Sequence, residues 1–137
     1  MTNKSFAQTV REKYGDTVNE FAFRLWAVPA TVESWEKGGT PQIQSLALLT
    51  YAYKYELSIK PEVDSKYLDM TPRELVDYLM EYFDDTENGL ATRLCLSTER
   101  LSRILKRNTI SNTTKRLLLE AVAHPENFLH LPKSFSK

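Results

Sequence analysis

The sequence is short of the residues that break helices, form disulfides or cross membranes. Its 137 residues contain four Gly, six Pro and one Cys, and its apolar runs are only a few residues long. The single cysteine excludes an internal disulfide, and because Cys95 lies among leucines we expect it to be a buried apolar side chain. The short apolar runs exclude a membrane-spanning helix. The first residues lack the apolar segment of a secretion signal, so we expect a cytoplasmic protein.

Charge is balanced in total but unevenly distributed. The chain has 18 basic and 18 acidic side chains, and a charged content of 26% is typical of a globular protein. Residues 66–92 carry two basic and seven acidic side chains, a net charge of −5. Residues 93–116 carry seven basic side chains and one acidic side chain, a net charge of +6. The neutral total therefore does not exclude a polyanionic partner for the second half.

Apolar side chains recur at the helical spacing almost throughout, which predicts an all-α fold. We expect Asp16 to cap a helix over VNEFAFRL, and Pro29 suits the first turn of the next helix. Thr71, followed by Pro72 and Glu74, has the pattern of a capping box. The apolar stripes of two longer helices are predicted to be Ile43, Leu46, Ala47 and Leu49 in one and Leu75, Val76, Leu79, Tyr82 and Phe83 in the other.

The two halves of the chain show the same pattern at a spacing of 69 residues. The segment FAFRLWAVPATVESWEKGGT (21–40) aligns without a gap with LATRLCLSTERLSRILKRNT (90–109). We interpret this as an internal repeat of one helical unit, which predicts two small helical domains, each built around a helix-turn-helix. The predicted bounds are two domains over 1–57 and 71–131, a linker over 58–70 and a tail over 132–137.

Both copies resemble the helix-turn-helix of the lambda-repressor/Cro-like (XRE) family. In that family a small Ala lets the second helix cross the first closely, and later apolar residues seat the recognition helix. TVESWEKG and GGTPQIQSLALL are similar to the family's recognition helix and to its following loop and helix. The resemblance covers roughly 4–56 and 71–124 and implies DNA binding. The positions that carry it are Ala22, Leu25, Val32 and Trp35 in the first copy and Ala91, Leu94, Leu101 and Ile104 in the second.

Two positions of the motif depart from the family pattern. The family usually has Gly just after the Leu of the first helix, because the backbone there tends toward positive φ. Trp26 and Cys95 stand in that place, so we expect a reshaped turn in both copies. Val28 replaces the usual Ser or Thr cap of the first recognition helix, whereas Ser97 keeps it in the second.

A helix over 98–107 would hold apolar and charged residues on opposite sides. Leu101, Ile104 and Leu105 would face the core, while Glu99, Arg103 and Lys106 point away from it. In the major groove Arg can bond guanine with two hydrogen bonds and Glu can accept one from cytosine. The start of the next helix is favourable for phosphate. The predicted DNA-binding residues of this copy are Ser97, Thr98, Glu99, Arg100, Ser102, Arg103, Lys106, Arg107, Asn112, Thr113, Lys115 and Arg116.

A simpler interpretation of the basic segment is a solvated helix face. In that case Arg100 or Arg103 would pair with the acidic helix that precedes this copy. The aromatic residues around YAYKYE are interpreted as core and as a seam between domains or between the subunits of a dimer.

The outward face of the first copy consists of small side chains and few charged ones. Such a face can approach DNA closely or pack on a protein, and both interpretations stay open. Two DNA-reading units would span half-sites about 34 Å apart. The predicted DNA-binding residues of this copy are Ala30, Thr31, Glu33, Ser34, Lys37 and Gln42, with Gln44 as a further contact to phosphate or bases.

Catalytic chemistry finds little support in the sequence. His124, His130 and Cys95 are too scattered for a metal site, and no glycine-rich loop matches a phosphate cradle. We therefore predict no enzymatic activity, no cofactor and no bound metal.

The predicted function is that of a sequence-specific DNA-binding transcriptional regulator. It would be a repressor of bacterial, phage or plasmid type that binds a double-stranded operator as a homodimer, including one at its own promoter, without a role at membranes. The alternative is an antitoxin or inhibitor that grips a protein partner, either through one helix-turn-helix unit or through the acidic face of Asp77, Glu81 and Asp84.

Overall fold

The computed structural model describes residues 4–129, which form helices and no strand. The all-α prediction is confirmed. None of the helices in this range has the length and apolar character needed to cross a bilayer. The predicted tail over 132–137 and His130 lie outside the described residues. The helices are α1 (Phe6–Tyr14), α2 (Val18–Leu25), α3 (Pro29–Glu36), α4 (Ile43–Lys54), α5 (Ser65–Leu68), α6 (Pro72–Phe83), α7 (Glu87–Leu94), α8 (Thr98–Arg107) and α9 (Asn112–Ala123), followed by a 3-10 helix over Pro125–Phe128.

Polar side chains fix the starts of several helices. Thr71 Oγ1 accepts the amide of Glu74 at 3.2 Å and Glu74 Oε1 accepts the amide of Thr71 at 2.8 Å, which confirms the predicted capping box of α6. Thr17 forms the same kind of box at the start of α2. The prediction that Asp16 caps α2 is wrong, because its carboxylate binds the guanidinium of Arg24 instead, with an Nε–Oδ2 distance of 2.8 Å.

The turn that leads into α3 and into α8 contains one residue in the left-handed region. Trp26 and Cys95 end α2 and α7 with φ angles of 61° and 60°. The expectation of a reshaped turn is wrong, because both residues keep the positive φ of the usual Gly. Gly adopts this angle without strain, whereas Trp26 and Cys95 do not. The following amide then bonds the carbonyl of Ala22 at 2.9 Å and that of Ala91 at 2.8 Å, respectively. Cys95 is exposed in this turn, which corrects the prediction that it is buried.

Helix bounds and contacts recur at the spacing of 69 residues. Helices α7 and α9 have the bounds of α2 and α4 shifted by that number, and α8 begins at the shifted start of α3. The ion pair between Asp16 and Arg24 corresponds to the pair between Asp85 and Arg93, whose Nε–Oδ2 distance is 2.7 Å. These correspondences support the interpretation of a repeated unit, while its division into two separate domains stays a prediction.

The buried apolar side chains of both halves belong to one core. Helix α4 packs on α9, and the rings of Tyr51 and Phe128 stack with their centroids 5.0 Å apart. The predicted linker contains α5 and, before it, Glu62. Oε1 of Glu62 lies 3.0 Å from Nε2 of His124, which is near the end of the second half. The two halves are therefore in direct contact.

Parts of the predicted apolar stripes face solvent. Ile43 and Leu46 of α4 are exposed, whereas Gln44 and Leu48 are buried. Because α4 lies against both α1 and α9, two neighbours decide which of its sides is covered. Tyr82 of α6 is also exposed, so its assignment to the apolar stripe is wrong.

Candidate nucleic-acid interface

Helix α8 separates its apolar and charged side chains. Leu101 and Ile104 are buried in the core, and Leu105 is partly buried against it. Arg103 and Lys106 are exposed on the other side. The start of the helix is fixed by Ser97, whose Oγ accepts the amide of Arg100 at 3.2 Å. The buried leucine and isoleucine therefore hold a cationic ridge toward solvent.

The basic side chains of α8 are not neutralised by neighbouring acids. Arg100, Arg103, Lys106 and Arg107 form no ion pair with any carboxylate of residues 4–129. The expected alternative, pairing of Arg100 or Arg103 with the acidic helix α6, is absent from this part of the chain. Helix α6 reaches α8 differently, through Nε of Arg73, which donates to the carbonyl of Leu105 at the end of α8 at 2.8 Å.

A hollow of about 220 Å³ lies between α8 and the start of α9. Arg100 and Arg103 line it from α8, and Thr109, Ser111 and Thr114 line it from the following turn and helix. The Nε of Arg100 is buried and has no hydrogen-bond partner among the described residues. The guanidiniums of Arg100 and Arg103 therefore give the hollow a positive potential.

Sequence reasoning did not assign Thr109 and Ser111 to this surface. Ser111 carries a readable signal, since it precedes α9 and its Oγ accepts the amide of Thr114 at 3.3 Å, as an N-cap should. Thr109 carries no sequence signal of this kind, because a loop residue has no periodicity from which its neighbours could be predicted.

The structure contradicts the prediction that Arg116 contacts DNA. Its side chain is 0% exposed, and its Nη1 lies 2.7 Å from Oε2 of Glu120. It also donates to the carbonyls of Arg24 and Ser58. Burial lowers the pKa of Arg116, and the neighbouring Glu120 opposes that shift. This guanidinium therefore joins the two halves of the chain and has no access to a ligand on the surface.

The other predicted residues of the second copy lie at or near the surface. Lys115 donates to the carbonyl of Leu68 at 3.1 Å, and Thr98 donates to Oδ1 of Asn88 at 2.7 Å. The exposed members are Thr98, Glu99, Arg103, Lys106, Arg107 and Asn112, and the partly buried ones are Ser97, Arg100, Ser102, Thr113 and Lys115.

The outward face of α3 is open but nearly uncharged. Lys37 is its exposed cation, while Glu36 pairs with Arg11 at an Nε–Oε2 distance of 2.6 Å. Gln44 is buried, which corrects its assignment as a contact to the phosphates or bases of DNA bound at the surface. The predicted residues that lie on this face or just after it are the exposed Ala30, Glu33, Ser34, Lys37 and Gln42 and the partly buried Thr31.

The acidic side chains of α6 form a second charged surface. Glu74, Asp77, Glu81 and Asp84 are exposed, and Tyr82 is exposed beside them. None of these carboxylates forms an ion pair within residues 4–129. In the same range no group of three His, Cys, Asp or Glu side chains is placed to hold a metal ion.

Comparison of the chain with protein-family models, with curated proteins and with solved structures found no match.

Proposed function

We propose that the protein is a sequence-specific DNA-binding transcriptional regulator that represses by occupying an operator. The observation that carries the proposal is the ridge of Arg103, Lys106 and Arg107, exposed on α8 opposite its buried side and free of ion pairs within residues 4–129. An α-helix fits the major groove, and a guanidinium there can bond guanine with two hydrogen bonds. The resemblance of the motif to the XRE family also supports this proposal.

The residues have different roles in the proposed complex. Arg103 and Glu99 contact base edges, and the flanking Lys106 and Arg107 contact phosphates. The hollow between α8 and α9 receives a further phosphate, which Arg100 and Arg103 contact. Because phosphate contacts release counterions, affinity falls steeply as the salt concentration rises.

The first unit has a smaller role in this proposal. Its small side chains on α3 permit close approach to a groove but supply little charge. It would read a second half-site, either within one chain or in a homodimer, with the half-sites about 34 Å apart.

Charge reversal at the ridge tests the proposal. Arg103→Glu should abolish specific binding, because it places a carboxylate against the duplex. The double variant Asp77→Lys, Glu81→Lys changes charge on the acidic surface of α6 and should leave specific binding intact. Gel shifts with sequences selected from random DNA, at two salt concentrations, measure both. Absence of any specific complex with the unmodified chain would rule out the proposal.

A protein partner for the acidic surface is the second candidate function. It is favoured by the exposed ring of Tyr82 among the carboxylates of α6, since aromatic side chains are enriched in protein interfaces. The chain would then act as an antitoxin or inhibitor. The same double variant separates the two functions, because it would break a partner complex while leaving DNA binding unchanged.

A further inference from the structure

A cleft of about 440 Å³ lies where the starts of α4 and α9 meet. Gln44 and Ser45 line it from α4, and Asn112 and Thr113 line it from α9. No charged side chain of residues 4–129 contributes to its lining. Its potential is therefore set by the helix ends and not by ionised groups.

The starts of both helices line this cleft and carry amides that lack acceptors in their own helix. The first amides of any helix lack a partner in their own helix. The cap of α4, Gln42, supplies no side-chain acceptor for them. In α9 the cap Ser111 accepts only the amide of Thr114, which leaves the amides of Asn112 and Thr113 for other acceptors. Each helix has 12 residues, and the positive ends of two such dipoles favour an anion.

Gln44 restricts which ligand suits the cleft, because its Oε1 lacks a hydrogen-bond donor within residues 4–129. The residue is 3% exposed, and its Nε2 donates to Oε1 of Gln42 at 2.5 Å. Its own Oε1 is buried and has no hydrogen-bond donor in the described part of the chain. A buried carbonyl without a donor is unfavourable. The ligand that suits this cleft therefore accepts hydrogen bonds from amides and also donates one to Gln44.

We propose that this cleft binds inorganic phosphate, which retains a proton at neutral pH. The phosphate oxygens accept from the amides at the starts of α4 and α9, and the P–OH group donates to Oε1 of Gln44. A phosphodiester of DNA and a sulfate ion offer the same acceptors but carry no proton at neutral pH. The preferred ligand of the cleft therefore differs from the DNA backbone, although Thr31, Gln42, Asn112 and Thr113 of its lining are also among the predicted DNA-binding residues.

Intrinsic fluorescence gives a direct readout of this site. Trp26 and Trp35 both line the cleft, and they are the two tryptophans of the sequence. Titration of the full chain with inorganic phosphate at neutral pH should give a saturable change in fluorescence. Sulfate should bind about tenfold more weakly, because it leaves Gln44 without a donor. Equal responses to the two ions, or no response to phosphate, would overturn the proposal.

Variants separate the roles of the amides and of Gln44. Gln44→Met removes the acceptor at similar volume, so phosphate affinity should fall to that of sulfate. Asn112→Pro and Ile43→Pro each delete one amide at the first position of a helix, where Pro is tolerated. The preceding residues already have the extended backbone that Pro requires, with ψ of 157° at Ser111 and 162° at Gln42. These two variants should weaken both ions about tenfold.

Circular dichroism should show that each variant keeps its helices. Unchanged preference for phosphate in Gln44→Met would exclude the donor contact. Unchanged affinity in both proline variants would exclude the helix ends. Because no DNA is present in these titrations, their outcome is independent of whether the chain binds an operator.

Discussion

Trp26 and Cys95 carry backbone strain in their turns that their side chains do not explain, whereas Asp84 and Asn108 are residue types that adopt positive φ more readily. Trp26, Asp84, Cys95 and Asn108 all have positive φ. An L-residue in this region costs roughly 1–2 kcal/mol relative to an ordinary conformation. Trp26 is partly buried against the core, so its packing offsets the strain. Cys95 is exposed and has no such compensation.

Replacement of Cys95 by Gly should therefore stabilise the protein. We expect the free energy of unfolding to rise by about 0.5–1 kcal/mol, because Gly adopts positive φ without strain but loses more chain entropy on folding. Cys95→Ala keeps the strain and should remain close to the unmodified chain. Urea denaturation of the three proteins measures the difference. A glycine variant less stable than the alanine variant would contradict this account.

His124 links stability to pH. Burial acts to lower the pKa of His124, but its hydrogen bond to Glu62 and the nearby carboxylates of Glu120 and Glu126 outweigh burial and raise the pKa above 6.5. Because the pKa of His124 is raised in the folded state, the added stability is present below pH 6.5, and it is lost as the pH rises through the pKa of the folded state.

His124→Gln should therefore cost more stability in acid than in base. Because the side chain of Glu62 is 63% exposed, solvent screening limits the difference to below about 1 kcal/mol. Urea unfolding at about pH 5.5 and about pH 8.5 measures it, within the range where the histidine titrates. Glu62→Gln is the matched control, and it should remove part of the pH dependence while keeping the histidine. A pH-independent cost of His124→Gln would contradict the link.

At the scale of helices, the two copies differ in how α3 and α8 begin. Ser97 caps α8 with its hydroxyl, whereas Val28 at the equivalent position of α3 makes no side-chain cap and is exposed. Val28→Ser should raise the free energy of unfolding by about 1 kcal/mol, and Ser97→Ala should lower it by a similar amount. Thermal unfolding followed by circular dichroism tests both. The two substitutions should change the free energy of unfolding in opposite directions. A loss of stability in Val28→Ser would contradict the equivalence of the two positions.

Most helices could be predicted from the sequence because their starts and apolar faces carry local signals. The capping box at Thr71 and the apolar positions Leu101 and Ile104 are examples. Helix α5 has four residues and lies in the segment predicted as a linker, since one turn is too short for periodicity to register. The cap of α2 is Thr17, one residue after the predicted Asp16. The sequence carries a signal for it, because Glu20 follows Thr17 at the spacing of a capping box, while Asp16 pairs with Arg24.

At the scale of the whole molecule, the sequence does not reveal where the halves meet. Arg116 follows Lys115 in a basic segment, and local pattern alone placed both on the DNA-facing surface. In the structure α9 lies against α4, so one side of α9 that would be exposed in an isolated unit is covered by the other half. That contact buries Arg116 and Glu120. The candidate site could be predicted where it depends on one helix, as at Arg103, but not where it depends on this contact.

The buried pair of Arg116 and Glu120 should behave as one energetic unit. Arg116→Met leaves a buried carboxylate whose Oε1 already lacks a partner within residues 4–129, and it should lower the free energy of unfolding by about 3–5 kcal/mol. Adding Glu120→Leu removes that carboxylate and should restore much of the loss, because apolar residues of similar volume often replace a buried ion pair at little cost. The carbonyls of Arg24 and Ser58 lose their donor in both proteins, so recovery stays incomplete. Urea unfolding of the two single variants and the double variant measures the coupling. Additive losses would show that the pair does not hold the halves together through its charges.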